Sequence, residues 1–205
     1  MLVALGAFAI AATLIVLLPG PDTLVVIRGL LRGGRSRGLS TTIGVLCGLV
    51  IWVTAASLGL SAVLKASKVG YDALRIVGAL YLMWIGINAL RTRGTVPDAN
   101  AARPRRELLG SGFVAGLLTD LLNPKVGIFF VTFLPSFVPH GYDVGTTCLL
   151  FGAIFVVLTG LYFAALLALA TRVTGWMTTP KIRKRLDTIT GTVLVGLGLR
   201  LALEP

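Results

Sequence analysis

The stretch Leu17-Leu18-Pro19-Gly20-Pro21-Asp22-Thr23 decides how this chain is read. It sets two prolines, a glycine and a carboxylate at the inner end of a long apolar run. Such a cluster would damage a lipid-facing helix. Proline removes a backbone donor and crowds the preceding turn, and a charge in hydrocarbon is costly. Broken backbone persists at membrane depth only where it faces protein or a wet cavity. A second apolar run carries a matching interruption, Asp120-Leu121-Leu122-Asn123-Pro124-Lys125. Paired interruptions in corresponding halves of a chain point to a transporter's midplane site. The two stretches therefore predict a small secondary transporter organised around them.

The composition fits a membrane. Of 205 residues 56% are hydrophobic and 13% charged, with mean hydropathy +0.91. A soluble domain carries roughly a quarter charged residues, and the apolar runs leave no room for a separate soluble domain. The net charge of +11 sits mostly in short connections between apolar runs. That placement reads as membrane orientation and attraction to anionic lipid heads, with no nucleic acid implied. Cys47 and Cys148 each lie inside an apolar run and read as small buried hydrophobes rather than a disulfide. The run that starts at Met1 lacks a basic leader and continues to Ile27, so it reads as a retained span rather than a cleaved signal.

Six apolar segments can be marked, at about 2–27, 39–64, 71–90, 111–134, 144–170 and 186–203. A crossing helix needs about 20 residues, so the sixth is the shortest candidate. The first, third and fifth connections hold fourteen of the nineteen basic residues, while the fourth, Pro135 to Asp143, holds none. Short basic connections stay in the cytoplasm, which puts both termini on the outer side. The expected fold is an all-α integral membrane protein of six transmembrane helices. Residues 1–92 form one three-helix repeat, 93–110 a cytoplasmic linker and 111–205 a second repeat. Three spans per half is odd, so the halves are inverted, with helices 1 and 4 broken near Pro19–Pro21 and Pro124. Gly78 to Gly86 echoes Gly191 to Gly198, in keeping with that repeat. Gly44-x-x-x-Gly48 and Gly112-x-x-x-Gly116 permit close helix approach, but such spacing is unspecific among twenty-five glycines.

Of eight acidic residues, Asp22 and Asp120 alone fall in apolar surroundings. Asp120 lies about 15 Å into its span, near mid-bilayer. It is either a proton- or substrate-handling carboxylate or the structural partner of Lys125. Asp22 reads both as a favourable charge in the first turn of a helix starting at Pro21 and as a partner for a substrate ammonium or a proton. Lys125, just after Pro124, either holds a substrate carboxylate beside unpaired backbone amides or snorkels to the interface. Asn123 is a cap for the second half-helix and a further substrate contact. The substrate or proton site is thus expected at Asp22, Asp120, Asn123 and Lys125, on a break built from Pro19, Gly20, Pro21 and Pro124.

Enzyme signals are absent. His140 has no nucleophile pattern near it, no P-loop appears, and no Cys/His grouping has metal-ligand spacing. Neither a cofactor nor a resident metal is expected.

Several blocks together resemble the lysine-exporter (LysE/RhtB) family. They are Leu17-Leu18-Pro19-Gly20-Pro21-Asp22, the basic connection with Gly38, Gly78-Ala79-Leu80-Tyr81-Leu82 with Gly86, Asn123-Pro124-Lys125 followed by Phe129-Phe130, and Gly191 with Gly198-Leu199-Arg200-Leu201-Ala202-Leu203. The resemblance covers almost the whole chain. It implies a multi-pass protein of the bacterial inner membrane that exports an amino acid or derivative, driven by the proton motive force. By position the family's signature residues fall on Pro19, Gly20, Pro21, Asp22, Asn123, Pro124 and Lys125. A homodimer suits so few spans. The rival readings are a cation or metal-ion exporter and a membrane thiol oxidoreductase. The first needs more intramembrane ligands than this chain supplies. The second, in the wider superfamily, uses cysteines in the first and fourth spans, whereas Cys47 and Cys148 lie in the second and fifth.

Overall fold

The computed structural model describes residues 1–17, 20–66, 68–91, 112–169 and 180–203, which are helical or in short connections, with no strand among them. Within these residues seven α-helices follow in order: α1 Leu2–Leu17, α2 Pro21–Ala66, α3 Lys68–Arg91, α4 Phe113–Leu121, α5 Pro124–Ile128, α6 Val144–Ala168 and α7 Pro180–Leu203. By length and apolarity, residues 21–59, which a turn at Gly33 and Gly34 divides, and Val144–Ala168 are candidate membrane spans, and Phe113–Leu121 with Pro124–Phe137 forms a third candidate bent by 51°. The chain is a multi-pass membrane protein. Pro19, the linker 93–110 and Trp176, which by sequence suits an interfacial anchor, lie outside the described residues.

Helix α2 is two helices joined by a turn. Gly33 (φ −150°, ψ 24°) and Gly34 (φ 64°, ψ −164°) leave helical geometry, and the positive φ of Gly34 suits a residue without a Cβ. The chain then folds back. A Cβ on Gly29 would press on the Thr41 hydroxyl at 2.5 Å, and one on Gly38 would lie 3.3 Å from the Leu30 Cβ. Residues 21–32 therefore complete the first apolar segment, and 35–66 form the second. This corrects the connection expected between the first two segments at 28–38, which is helix on either side of a two-residue turn. Helix α7 itself begins at Pro180, ahead of the sixth apolar segment, and takes in the basic residues before it.

Lipid offers no hydrophobic drive between helices, so small residues and close backbone contact hold them together. The seam between α2 and α4 shows this. A Cβ on Gly44 would run into the Phe113 carbonyl, and one on Gly116 into the Thr41 carbonyl. The glycine spacing that was unspecific in sequence is thus used at both ends of the seam. Helix α2 also caps α4. The Thr41 and Ser40 hydroxyls accept the Gly112 and Phe113 N–H groups, each at 3.0 Å, satisfying donors that a helix start otherwise strands. Helices α3 and α7 pair antiparallel over a second glycine seam. A Cβ on Gly86 would meet the Gly191 carbonyl at 2.7 Å, one on Gly191 the Gly86 carbonyl at 2.6 Å, and one on Gly198 the Ala79 carbonyl at 2.7 Å.

The largest buried cluster joins α1, the second half of α2, α5 and α6, and phenylalanine dominates it. Phe8 of α1 stacks on Phe151 of α6 with centroids 4.7 Å apart and meets the Phe137 edge at 5.5 Å. Phe129 lies 4.8 Å from Phe155. Such pairs contribute about 0.5–1.5 kcal/mol each beyond simple burial. After α5 the chain runs through a π-helical turn, Phe129–Phe133, and a 3₁₀ turn, Leu134–Phe137. Pro135 lacks the N–H that an α-helix would need there and crowds the preceding turn, which accounts for the irregular winding. A smaller cluster of Val25, Val26, Val45, Ala115, Phe163 and Leu166 packs on the other side of the two helix breaks.

Candidate functional site

The two breaks meet between these clusters. Helix α1 ends at Leu17 and α2 starts with Pro21 at its first position and Asp22 in its first turn. There the missing proline N–H costs nothing and a negative charge meets the positive end of the helix dipole. Helix α5 starts in the same manner, with Pro124 at its first position. Asn123 sits before it in extended geometry, its Oδ1 accepting the Lys125 N–H at 3.1 Å. The same amide then crosses to the other break, where Asn123 Nδ2 donates to Asp22 Oδ2 at 2.8 Å. Lys125 crosses as well. Its Nζ donates to the Ile15 carbonyl at 3.2 Å, one of the last-turn carbonyls of α1 that have no partner within their own helix. It also lies 3.8 Å from where a Gly20 Cβ would be, so a side chain at position 20 would narrow its approach.

A cavity of about 40 Å³ opens beside this junction, with Asp22, Asn123 and Lys125 in its wall, enough for ordered water. Ile15, Leu49, Phe129, Phe155 and Phe163 supply the apolar lining. Thr23, Thr159 and Tyr162 add hydroxyls, with Thr23 Oγ1 and Tyr162 Oη 3.4 Å apart. Asp22 Oδ1 is buried and has no hydrogen-bond partner among the described residues. An acceptor and a cation thus share one small chamber.

Three of the four expected site residues come together here, and Asp120 does not join them at the cavity. Its side chain is fully buried, neither carboxyl oxygen has a hydrogen-bond partner among the described residues, and a Cβ on Gly48 of α2 would run into Oδ2. The alternative of a structural Asp120–Lys125 bridge finds no support in this geometry, because neither Asp120 oxygen holds a hydrogen bond among the described residues and the Lys125 ammonium donates to α1. Asp120 connects to the site through its backbone, its carbonyl accepting the Asn123 N–H at 3.0 Å and Trp52 Nε1 at 3.4 Å. Sequence patterning does not mark Thr23, Thr159 or Tyr162 for the site, and it reads Trp52, a tryptophan within an apolar span, as a packing residue. The available signal was polar side chains within apolar spans, which in lipid usually face other helices or water. Cys47 and Cys148 are free thiols on α2 and α6.

Comparison with known proteins identifies the family. Residues 13–205 match the model of the LysE type translocator family. The chain belongs to that family. It is accordingly a translocator and not an enzyme. It is 32% identical over 193 residues to the threonine efflux protein of Escherichia coli K12, covering 91% of each chain. It is 29% identical over 200 residues to the leucine efflux protein of an Enterobacter strain, covering 95% of this chain and 93% of the relative. An uncharacterized membrane protein of Bacillus subtilis is 29% identical over 200 residues, covering 94% and 95%. No solved structure matches the chain.

Proposed function

We propose that this protein exports an amino acid or amino-acid derivative from the cytoplasm, in exchange for protons, through the cavity at the paired breaks. The observation that carries the reading is the placement of Lys125 and the free Asp22 Oδ1 on one small chamber. A zwitterion needs this pair, a cation for its carboxylate and an acceptor for its ammonium. The start of α2 adds oriented backbone at the same place, whereas the unpaired amides expected beside Lys125 are absent, because Asn123 already accepts the Lys125, Val126 and Gly127 N–H groups. The efflux proteins among the relatives favour the same class of cargo. The metal-exporter rival has no comparable observation, and among the described residues no group of three His, Cys, Asp or Glu gathers.

Export in this reading follows from six spans in a 3+3 inverted repeat, residues 1–92 and 111–205, rocking about the two breaks. The reciprocal glycine contacts of α3 and α7 support it, since Gly86 on Gly191 and Ala79 on Gly198 exchange places under a two-fold in the membrane plane. Both termini then face the outside of a bacterial inner membrane, and the arginine-rich turn at 28–37 faces the anionic lipid of the cytoplasmic leaflet. Two copies in a homodimer complete the proposed unit. The test is counterflow in proteoliposomes loaded with unlabelled threonine, leucine or homoserine and presented with the labelled form. Exchange that is lost in both Asp22→Asn and Lys125→Gln supports the reading. Exchange unchanged in both removes the cavity as the substrate site.

A further inference from the structure

We infer that Asp120 is a proton site separate from the pocket that holds the amino acid. The inference rests on the export reading above and divides the labour between its two intramembrane carboxyls. Asp22 borders the cavity. Asp120 is outside its lining, fully buried, and among the described residues neither carboxyl oxygen has a hydrogen-bond partner. Space around it is limiting, because α2 approaches so closely at Gly48 that even a methyl group there would collide with Oδ2. A substrate ammonium does not fit in such a gap. A magnesium or calcium ion would need about six oxygen ligands and a zinc ion about four nitrogen, sulfur or oxygen ligands, and the facing residues from α2, Gly48 and Trp52, bring no such side-chain ligand. A proton needs neither room nor a coordination shell.

Asp120 is nonetheless tied to the substrate pocket. Its carbonyl holds the Asn123 N–H, and the Asn123 amide holds Asp22. Asp22 is the charged group that bears on Asp120, and Lys125 in turn bears on Asp22; no titratable group faces Asp120 from Gly48 or Trp52. An ammonium arriving at Asp22 brings positive charge beside this pair and expels the proton held at Asp120. When the amino acid leaves, a proton returns. One proton therefore enters the cell for each amino acid that leaves, and neither is consumed.

The experiment compares two transport modes in proteoliposomes, using labelled threonine and leucine as probes. Counterflow needs only the substrate pocket, whereas accumulation driven by an acid interior needs the proton site too. Asp120→Asn should keep counterflow within about threefold of wild type and lose gradient-driven accumulation, while Asp22→Asn loses both. Accumulation retained by Asp120→Asn, or counterflow lost in a folded Asp120→Asn protein, overturns the inference. If wild type exchanges neither probe, the cargo assignment fails and the proton site is decided separately by infrared titration without substrate. A buried carboxylic-acid band that titrates in wild type and in Asp22→Asn supports the site, and its absence from wild type overturns it. This last reading does not depend on the folding of the Asp120 variant.

Discussion

The two helix breaks look alike in sequence and differ in how well they obey local rules. At the first, Pro21 opens α2 and Asp22 falls in its first turn, where a carboxylate contributes about 0.3–1 kcal/mol through the helix dipole. At the second, Pro124 opens α5 and the charged residue in the first turn is Lys125, of the wrong sign for that position. The conflict is relieved only across the junction, where the ammonium reaches the carbonyl end of α1 at Ile15, the end that favours a cation. Each break thus satisfies polar groups stranded by the other. A local rule broken with a distant compensation is the mark of a residue kept for function. The segments leading into the breaks also differ. Helix α1 is held by the ring of Phe8 between Phe151 and Phe137, whereas α4 is held by backbone contact over Gly44 and Gly116.

Four changes would break or sharpen this comparison. Phe8→Ala removes the aromatic wedge of the first break and should lower stability by about 3 kcal/mol, read as a fall in melting temperature in detergent. Lys125→Gln removes the misplaced charge of the second. Export should fall about 10- to 100-fold, the worth of a charged hydrogen bond, with the melting temperature unchanged or raised. A large loss of stability with normal export would make Lys125 a structural residue and erase the contrast. Gly116→Ala should cost about 2 kcal/mol by overpacking, while Gly160→Ala, where the nearest atom is 3.8 Å away, serves as the silent control in the same melt. Asn123→Ser keeps a helix cap but is too short to reach Asp22. A loss of about 1 kcal/mol is expected, with export reduced more than stability, measured by efflux and melting on the same preparation.

Much of this was legible before any coordinates. The break at Pro124, the capping role of Asn123, the helix start at Pro21 and the placement of Asp22 in its first turn follow from residue chemistry over four or five positions. Sequence misplaced the first connection because arginines at 28–37 read as a loop, while the chain needs only Gly33 and Gly34 to turn. The hydroxyl wall of Thr23, Thr159 and Tyr162 carried only the weak signal of polar side chains in apolar spans, since a lone hydroxyl there can also bond to its own helix. Thr159 does so, donating to the Phe155 carbonyl.

What the chain determined by itself is its medium and its weak points. Few charges and long apolar runs require lipid, and proline beside a carboxylate or an amide fixes where the helices break. Which groups face one another was decided only by tertiary packing. Asp120 and Lys125 are five residues apart and point to different neighbours, while Asn123 reaches Asp22 across 101 positions. The reason is geometric. A broken helix sends its two ends in different directions, so partners are set by which other break lies alongside and not by distance along the chain.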